Sequence, residues 1–166
     1  NGMIIDFISG LKVKATPEEI EAVQVFSKQL VEDYEYPIDY LQTRPQFRVK
    51  VRPSDNNKSY PIDIAVFSDT SKNEDALSII VECKKKSRKD GKSQLQDYLR
   101  FSRAQLGVWF NGEERLFILP YDTPQQIKKN AKQLLKYKPD KNKDVLLFHC
   151  DIKNARYNRL GGKSDS

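Results

Sequence analysis

The chain has 166 residues, a length typical of one compact domain that buries its core without disulfide bonds. Apolar residues make up 38% of it and charged residues 31%, a balance that excludes both a disordered chain and a membrane-spanning segment. The net charge is +6, and the excess lies in residues 124–166, which hold 11 basic and 4 acidic residues. We therefore expect a core over 1–122 and a basic segment over 123–166 that completes the same domain or leads to a linker.

An amphipathic helix is the first clear element along the chain. Thr16 and Pro17 have the residue types of a helix N-cap and first turn, and apolar residues recur at three-to-four spacing from Ile20 to Tyr34. Residues 47–52 then alternate apolar and basic side chains. This alternation predicts a half-exposed strand that forms a hairpin with the next strand.

Strands dominate the middle of the chain. Short apolar runs rich in β-branched residues predict buried strands over residues 61–67 and 77–83. Residues 106–110 predict another buried strand, and residues 145–150 predict a last strand. Helices are predicted over 93–104 and from 123 to about 136. Asn111 and Gly112 predict a tight turn into a further strand over 115–119. The order of these elements predicts an α/β fold with a mixed β-sheet flanked by helices.

Two acidic residues lie within the runs that predict buried strands. Asp63 and Glu82 would both be costly to desolvate as unpaired anions. Glu82 and Lys84 are two residues apart, so their side chains project from the same face of an extended strand. If the two strands are neighbours, two carboxylates and one ammonium group converge. A hard divalent cation such as Mg²⁺ would relieve the repulsion between the carboxylates, although a buried ion pair with Lys84 would also explain the pattern.

The cysteines and the histidine point away from other metal sites. Cys83 and Cys150 form no CxxC pair, which excludes a zinc ribbon, a disulfide scaffold and a cysteine-ligated iron–sulfur cluster. His149 is the only histidine in the chain and lies in an apolar run, so we expect it to be a strand residue. Two free thiols are typical of the reducing cytoplasm, where we expect this protein to work.

The combined motifs resemble a known nuclease signature. The segments Pro61-Ile-Asp63, Glu82-Cys-Lys84 and Gln94-x-x-x-Tyr98 follow one another in the strand and helix order of PD-(D/E)xK nucleases with a Q-x-x-x-Y extension. Over residues 17–119, which include a later strand that ends in Asn-Gly, the chain resembles more narrowly the N-terminal endonuclease domain of type I restriction enzyme R subunits. The resemblance implies a restriction-endonuclease-like fold and hydrolysis of DNA phosphodiester bonds with Mg²⁺, or with Mn²⁺ in its place.

The resemblance also implies roles for individual residues. Asp63 and Glu82 would be metal ligands, together with the backbone carbonyl of Cys83. Lys84 would be the catalytic lysine. It would orient the attacking water and stabilise the charge of the transition state.

Further site residues are expected on two helices. Gln94 and Tyr98 are four residues apart on one helical face and would lie beside the active site, where they would hold DNA or orient the catalytic groups. The family often adds an acid from its first helix, for which Glu19 is the candidate and Glu21 the alternative. Without the resemblance, these four residues would be ordinary polar positions on helix surfaces.

A run of basic residues follows the predicted catalytic strand. In this fold that position faces the substrate, so we expect contacts with DNA phosphates rather than a merely solvated loop. The residues are Lys85, Lys86, Arg88, Lys89 and Lys92.

The chain lacks a P-loop of the form GxxxxGK[ST], a helix-turn-helix and a zinc finger. We therefore expect the motor and sequence recognition to come from restriction-modification subunits or from a fused translocase or methyltransferase. Two alternatives stay open at this point. One is a repair or recombination nuclease such as a junction resolvase, and the other is a noncatalytic DNA-binding or assembly module of the same fold.

Overall fold

The computed structural model describes residues 2–52, 54, 58–129, 137–139 and 146–147. Three consecutive helical segments, Glu19–Val23, Gln24–Lys28 and Gln29–Asp33, form helix α1, and the two outer segments are π-helical. Helix α2 is Lys92–Arg100 and helix α3 is Pro124–Lys129. The strands are β1 (Met3–Ile5), β2 (Lys12–Lys14), β3 (Leu41–Gln42), β4 (Arg48–Val49), β5 (Tyr60–Pro61), β6 (Ile64–Phe67), β7 (Leu77–Cys83), β8 (Leu106–Phe110), β9 (Arg115–Ile118), β10 (Lys138–Pro139) and β11 (Leu146–Leu147).

A mixed sheet of five strands, in the order β3-β6-β7-β8-β9, forms the centre of the fold. Strands β7 and β8 are parallel and are joined through α2, whereas the other neighbours in this sheet are antiparallel. Separate two-stranded ribbons pair β1 with β2, β4 with β5, and β10 with β11. The predicted α/β fold with a mixed sheet flanked by helices is therefore confirmed.

Strand β7 is buried on both faces, as predicted, because it separates two apolar clusters. Val81 and Cys83 pack in one cluster with Phe26 of α1. Ile80 packs in the other with Leu95 of α2. The alternation along β7 therefore turns Cys83 towards α1 and places Glu82, like Ile80, on the α2 side.

Several element boundaries follow the predictions closely and others do not. The runs over 77–83 and 106–110 form β7 and β8 as predicted. The predicted strand over 61–67 is interrupted after Pro61, so that Asp63 lies between β5 and β6 instead of within a strand. Ile20, which the helical pattern places on the apolar face, is 51% exposed.

The starts of α1 and α3 agree with the capping signals, whereas α2, predicted over 93–104, begins at Lys92 after Gly91 and ends at Arg100. The hydroxyl of Thr16 accepts a hydrogen bond from the backbone N–H of Glu19 at 3.2 Å, and the hydroxyl of Thr123 accepts one from Gln126 at 3.2 Å. No helix in the described residues is both long and apolar enough to cross a membrane. Three predicted parts of the chain lie outside the described residues: residues 130–136, where the predicted lysine-rich helix ends, most of the strand predicted over 145–150 with His149, and the tail after it.

Candidate active site

Asp63 and Glu82 come together at the ends of two antiparallel neighbours, β6 and β7. Asp63 Oδ2 accepts a hydrogen bond from the backbone N–H of Cys83 at 2.8 Å, so the side chain takes part in the pairing of the two strands. Gln46 Nε2 donates to the other carboxylate oxygen, Oδ1, at 3.3 Å. These contacts hold the Asp63 carboxylate beside the end of β7.

Lys84 joins this pair from the position directly after the end of β7. Its Nζ lies 3.3 Å from Glu82 Oε2, and both side chains are largely buried, at 14% and 11% exposure. Gly91, at the start of α2, has φ +97°, and a Cβ at that position would lie only 2.8 Å from Lys84 Cε. A glycine there leaves the space that the Lys84 side chain occupies.

The electrostatics of the two carboxyl groups favour a bound cation. Burial and the charge of Glu82 raise the pKa of Asp63 to about 8, against the lowering effect of the Cys83 N–H. Burial also raises the pKa of Glu82, although Lys84 opposes that shift. Both carboxyl groups are thus costly to ionise in this protein, and a divalent cation between them would reverse that cost.

The donor atoms fit a hard cation that retains water. Among the described residues, no group of three or more His, Cys, Asp and Glu side chains is placed so that it could hold a metal ion. Mg²⁺ commonly uses one or two carboxylates and completes its shell with water, so Asp63 and Glu82 are sufficient protein carboxylates. Burial raises the pKa of the Cys83 thiol well above its usual value, which leaves the backbone carbonyl as the donor that this residue can offer.

The acidic residues of α1 are arranged differently from the expectation. The Glu19 carboxylate is held by Arg44 at 2.6 Å and by the side-chain amide of Gln24 at 2.9 Å. Glu21 accepts a hydrogen bond from the backbone N–H of Lys86 at 2.9 Å. The structure therefore engages both predicted acids in contacts that hold neighbouring segments.

Glu18, which the sequence analysis missed, is the acid from this region that interacts with the carboxylate pair. Burial raises its pKa, and the positive charge of Lys84 opposes the shift. The charge of Glu18 in turn raises the pKa values of Asp63 and Glu82. A spacing signal was present, because Glu18 lies four residues before Ala22, which is fully buried against the sheet.

The two predicted residues of α2 have different environments. Tyr98 is buried, and its ring stacks on that of Tyr60 with 5.9 Å between centroids. Burial first, and then the charges of Glu82 and Asp63, raise the pKa of Tyr98 to about 12, so its hydroxyl remains protonated near the acids. Gln94 is exposed in the first turn of α2. The structure thus brings Tyr98 to the site and leaves Gln94 on the surface.

Four of the predicted basic residues lie on an exposed segment that leads from β7 into α2, and Lys92 is the partly buried first residue of α2. Trp109, expected in the core, is fully buried, and its indole N–H donates to the carbonyl of Asp90 in this segment at 2.9 Å. Asn111 also binds the segment, through its side-chain amide. The sequence analysis assigned Asn111 only to the turn, since the pattern gives no sign of a partner 23 to 25 residues earlier.

Comparison with protein families identifies relatives of this chain. The family model described as Type I restriction enzyme R protein N terminus (HSDR_N) matches residues 17–134, which include α1, the two carboxylates, Lys84 and α2. No curated protein and no solved structure matches the chain. The match confirms the resemblance that the motifs indicate. Because the match covers well over half of its length, the chain belongs to the family of type I restriction enzyme R protein N-terminal domains.

Proposed function

We propose that this chain is a Mg²⁺-dependent endonuclease domain that hydrolyses DNA phosphodiester bonds within a type I restriction system. The observation that carries the proposal is the convergence of Asp63, Glu82 and Lys84 at the adjoining ends of β6 and β7. Family membership supports the nuclease class and DNA as the substrate. The raised pKa of Asp63 supports a cation as the missing partner of the carboxylates.

Asp63 and Glu82 would hold the Mg²⁺ ion, and the carbonyl of Cys83 and water would complete its shell. The bound ion would lower the pKa of a coordinated water and neutralise charge on the scissile phosphate. Mn²⁺ offers the same preference for oxygen ligands and would substitute for Mg²⁺.

Lys84 is the protein group that would meet the phosphate. Glu82 holds its ammonium group at 3.3 Å, so the positive charge is fixed before substrate binds. A fixed charge aimed at the phosphoryl oxygens stabilises the growing negative charge of the transition state without a cost of reorganisation. The protonated hydroxyl of Tyr98 and the carboxyl of Glu18 border the same region and would orient water or the DNA backbone.

The sequence has no helix-turn-helix or zinc-finger motif of the kind that reads base edges. We therefore propose that other subunits or domains of the restriction-modification system supply recognition and translocation. The isolated chain would cleave DNA slowly and without sequence preference.

Nicking of supercoiled plasmid tests this proposal. The chain would be compared with its Asp63→Asn and Lys84→Met variants in Mg²⁺, in Mn²⁺ and in EDTA. Glu74→Gln is a matched control, because Glu74 is an exposed acid just before the start of β7, at the opposite end of the strand from Glu82. Thermal unfolding would verify that each variant is folded.

We expect metal-dependent nicking that falls by about 10²-fold or more in both site variants, the usual cost of removing one transition-state contact, and that is retained in Glu74→Gln. Calorimetry should show divalent binding that Asp63→Asn abolishes and Lys84→Met preserves. Nicking that all three variants retain would place the chemistry elsewhere. Divalent binding that is independent of Asp63 would rule out the proposed metal site.

A further inference from the structure

The segment between β7 and α2, residues 85–91, is fastened to the β8–β9 hairpin by one buried amide. Asn111 Nδ2 donates to the carbonyl of Lys86 at 3.3 Å and to that of Arg88 at 3.0 Å. Asn111 Oδ1 accepts the backbone N–H groups of Glu113 at 3.0 Å and Glu114 at 2.8 Å. All hydrogen-bonding atoms of this side chain are thus used, and the segment has a defined conformation.

Three of the five basic side chains predicted to bind phosphates already have partners within the protein. Arg88 pairs with Asp90 at 2.5 Å, and Lys89 pairs with Glu114 at 2.9 Å. The ammonium group of Lys92 lies 4.0 Å from the centre of the Trp109 ring. If Arg88 or Lys89 turned to a phosphate instead, it would leave a carboxylate beside the DNA backbone, and the repulsion between the two anions, screened by solvent at these half-exposed positions, would offset part of the gain.

Lys85 and Lys86 differ from these three. Both side chains are exposed, and neither forms an ion pair with a carboxylate of the described residues. The backbone at Lys86 is nevertheless fixed, because its N–H donates to Glu21 at 2.9 Å and its carbonyl accepts from Asn111. Two adjacent lysines therefore start from a fixed backbone immediately after Lys84.

We infer that Lys85 and Lys86 are the residues of this segment that bind DNA phosphates, and that Arg88, Lys89 and Lys92 hold its shape. The inference rests on the proposed function and divides the five residues between two roles. A backbone that is fixed before binding reduces the entropy lost in each phosphate contact. Each contact also releases condensed counterions, so it contributes to the salt dependence of binding.

Fluorescence anisotropy with a short labelled DNA duplex in EDTA, across about 50 to 200 mM salt, tests the division of roles. Three double variants are compared. Lys85→Gln/Lys86→Gln removes the proposed contacts. Arg88→Gln/Asp90→Asn removes an internal pair without altering the net charge. Lys12→Gln/Lys14→Gln, on the separate β1–β2 ribbon, matches the loss of two positive charges at exposed positions.

We expect the slope of log K against log salt to fall by about 1.8 for the Lys85/Lys86 variant, or about 0.9 for each lost contact. The other two variants should keep the slope of the unaltered chain. Equal losses in the Lys85/Lys86 and Arg88/Asp90 variants, or in the Lys12/Lys14 control, would overturn the division of roles while DNA binding itself stood. Absence of binding by the unaltered chain would overturn the proposed function and this inference together.

Discussion

Replacement of Gly91 by alanine should displace the Lys84 side chain and lower activity, while the fold loses little stability beyond the cost of the backbone strain. The φ of Gly91 is +97°, a region that costs an alanine about 1–2 kcal/mol. The added Cβ would also lie 2.8 Å from Lys84 Cε, so the lysine must retreat by about 0.6 Å to reach ordinary contact at 3.4 Å. Because Cε is near the end of a flexible side chain, we expect this retreat to cost little stability.

Gly10→Ala is the matched control for the backbone strain. Gly10 also has a positive φ, +76°, but a Cβ there would meet no atom within 4 Å. Both variants should therefore lose about 1–2 kcal/mol of unfolding free energy, or about 2–8 °C in Tm for a chain of this length. Only Gly91→Ala moves the ammonium group of Lys84. A misplacement approaching 1 Å can cost about 10²-fold in rate, so we expect a substantial loss of plasmid nicking in Gly91→Ala alone.

Urea unfolding and plasmid nicking on the same preparations measure the two effects. The reasoning would be refuted if both glycine variants nicked plasmid at the same rate. It would also be refuted if Gly91→Ala were several kcal/mol less stable than Gly10→Ala, since Lys84 would then be unable to yield. Titration of Mn²⁺ by calorimetry should show binding by both variants, because both keep Asp63 and Glu82.

Three further predictions concern the surroundings of the site. Asn111→Asp keeps the oxygen that accepts hydrogen bonds in the turn but loses both N–H donors to residues 85–91. A lysine-specific protease should therefore cut after Lys86 faster than in the unaltered chain. An unchanged rate of cutting would contradict the role of Asn111 in holding this segment. Arg44→Met leaves the buried Glu19 carboxylate without its cation and should lower the unfolding free energy by about 2–3 kcal/mol, less than a fully buried pair because Arg44 is partly exposed; Arg44→Lys should restore part of the loss. The raised pKa of Asp63 predicts a pH dependence of stability in EDTA. Between about pH 4 and about pH 8 the folded state keeps a proton on Asp63 that the unfolded state has lost. The contribution of Asp63 to the unfolding free energy should therefore fall as the pH rises through this range. The Asp63→Asn variant should lose that part of the pH dependence in urea unfolding, and a dependence that persisted unchanged would contradict the assignment.

The central strands could be predicted because their signal is local. Strands β7 and β8 are runs of mostly apolar residues, and both lie between two buried apolar clusters. The break before β6 was not predicted. There the Asp63 carboxylate accepts the Cys83 N–H, a role that a backbone carbonyl would have filled in a continuous strand. The residue that makes the site chemically useful is thus also the one that ends the regular pairing.

Contacts between distant parts of the chain had no signal in the sequence. Arg44 and Glu19 are 25 residues apart, and Asn111 and Lys86 are also 25 apart, so neither pair follows from helical or strand periodicity. The composition of the segment after β7 predicted that it is basic. Which of its cations already have partners depends on Glu114 and Trp109, which the fold brings from the following hairpin.

The acid near the start of α1 whose charge acts on Asp63 and Glu82 is Glu18, one residue before the predicted Glu19. A period of 3.6 places Ile20 on the apolar face, yet Ile20 is 51% exposed, while Ala22 and Phe26 are fully buried. α1 begins with a π-helical segment, whose hydrogen bonds span five residues and whose turns hold more residues than those of an α-helix, so a period of 3.6 does not apply at Ile20. Side chains four residues apart lie on one face of a helix, and the row through Phe26 and Ala22 leads back to Glu18. Glu19 pairs with Arg44 at 2.6 Å and so holds the helix in place, whereas the charge of Lys84 acts on Glu18 and opposes the rise in its pKa.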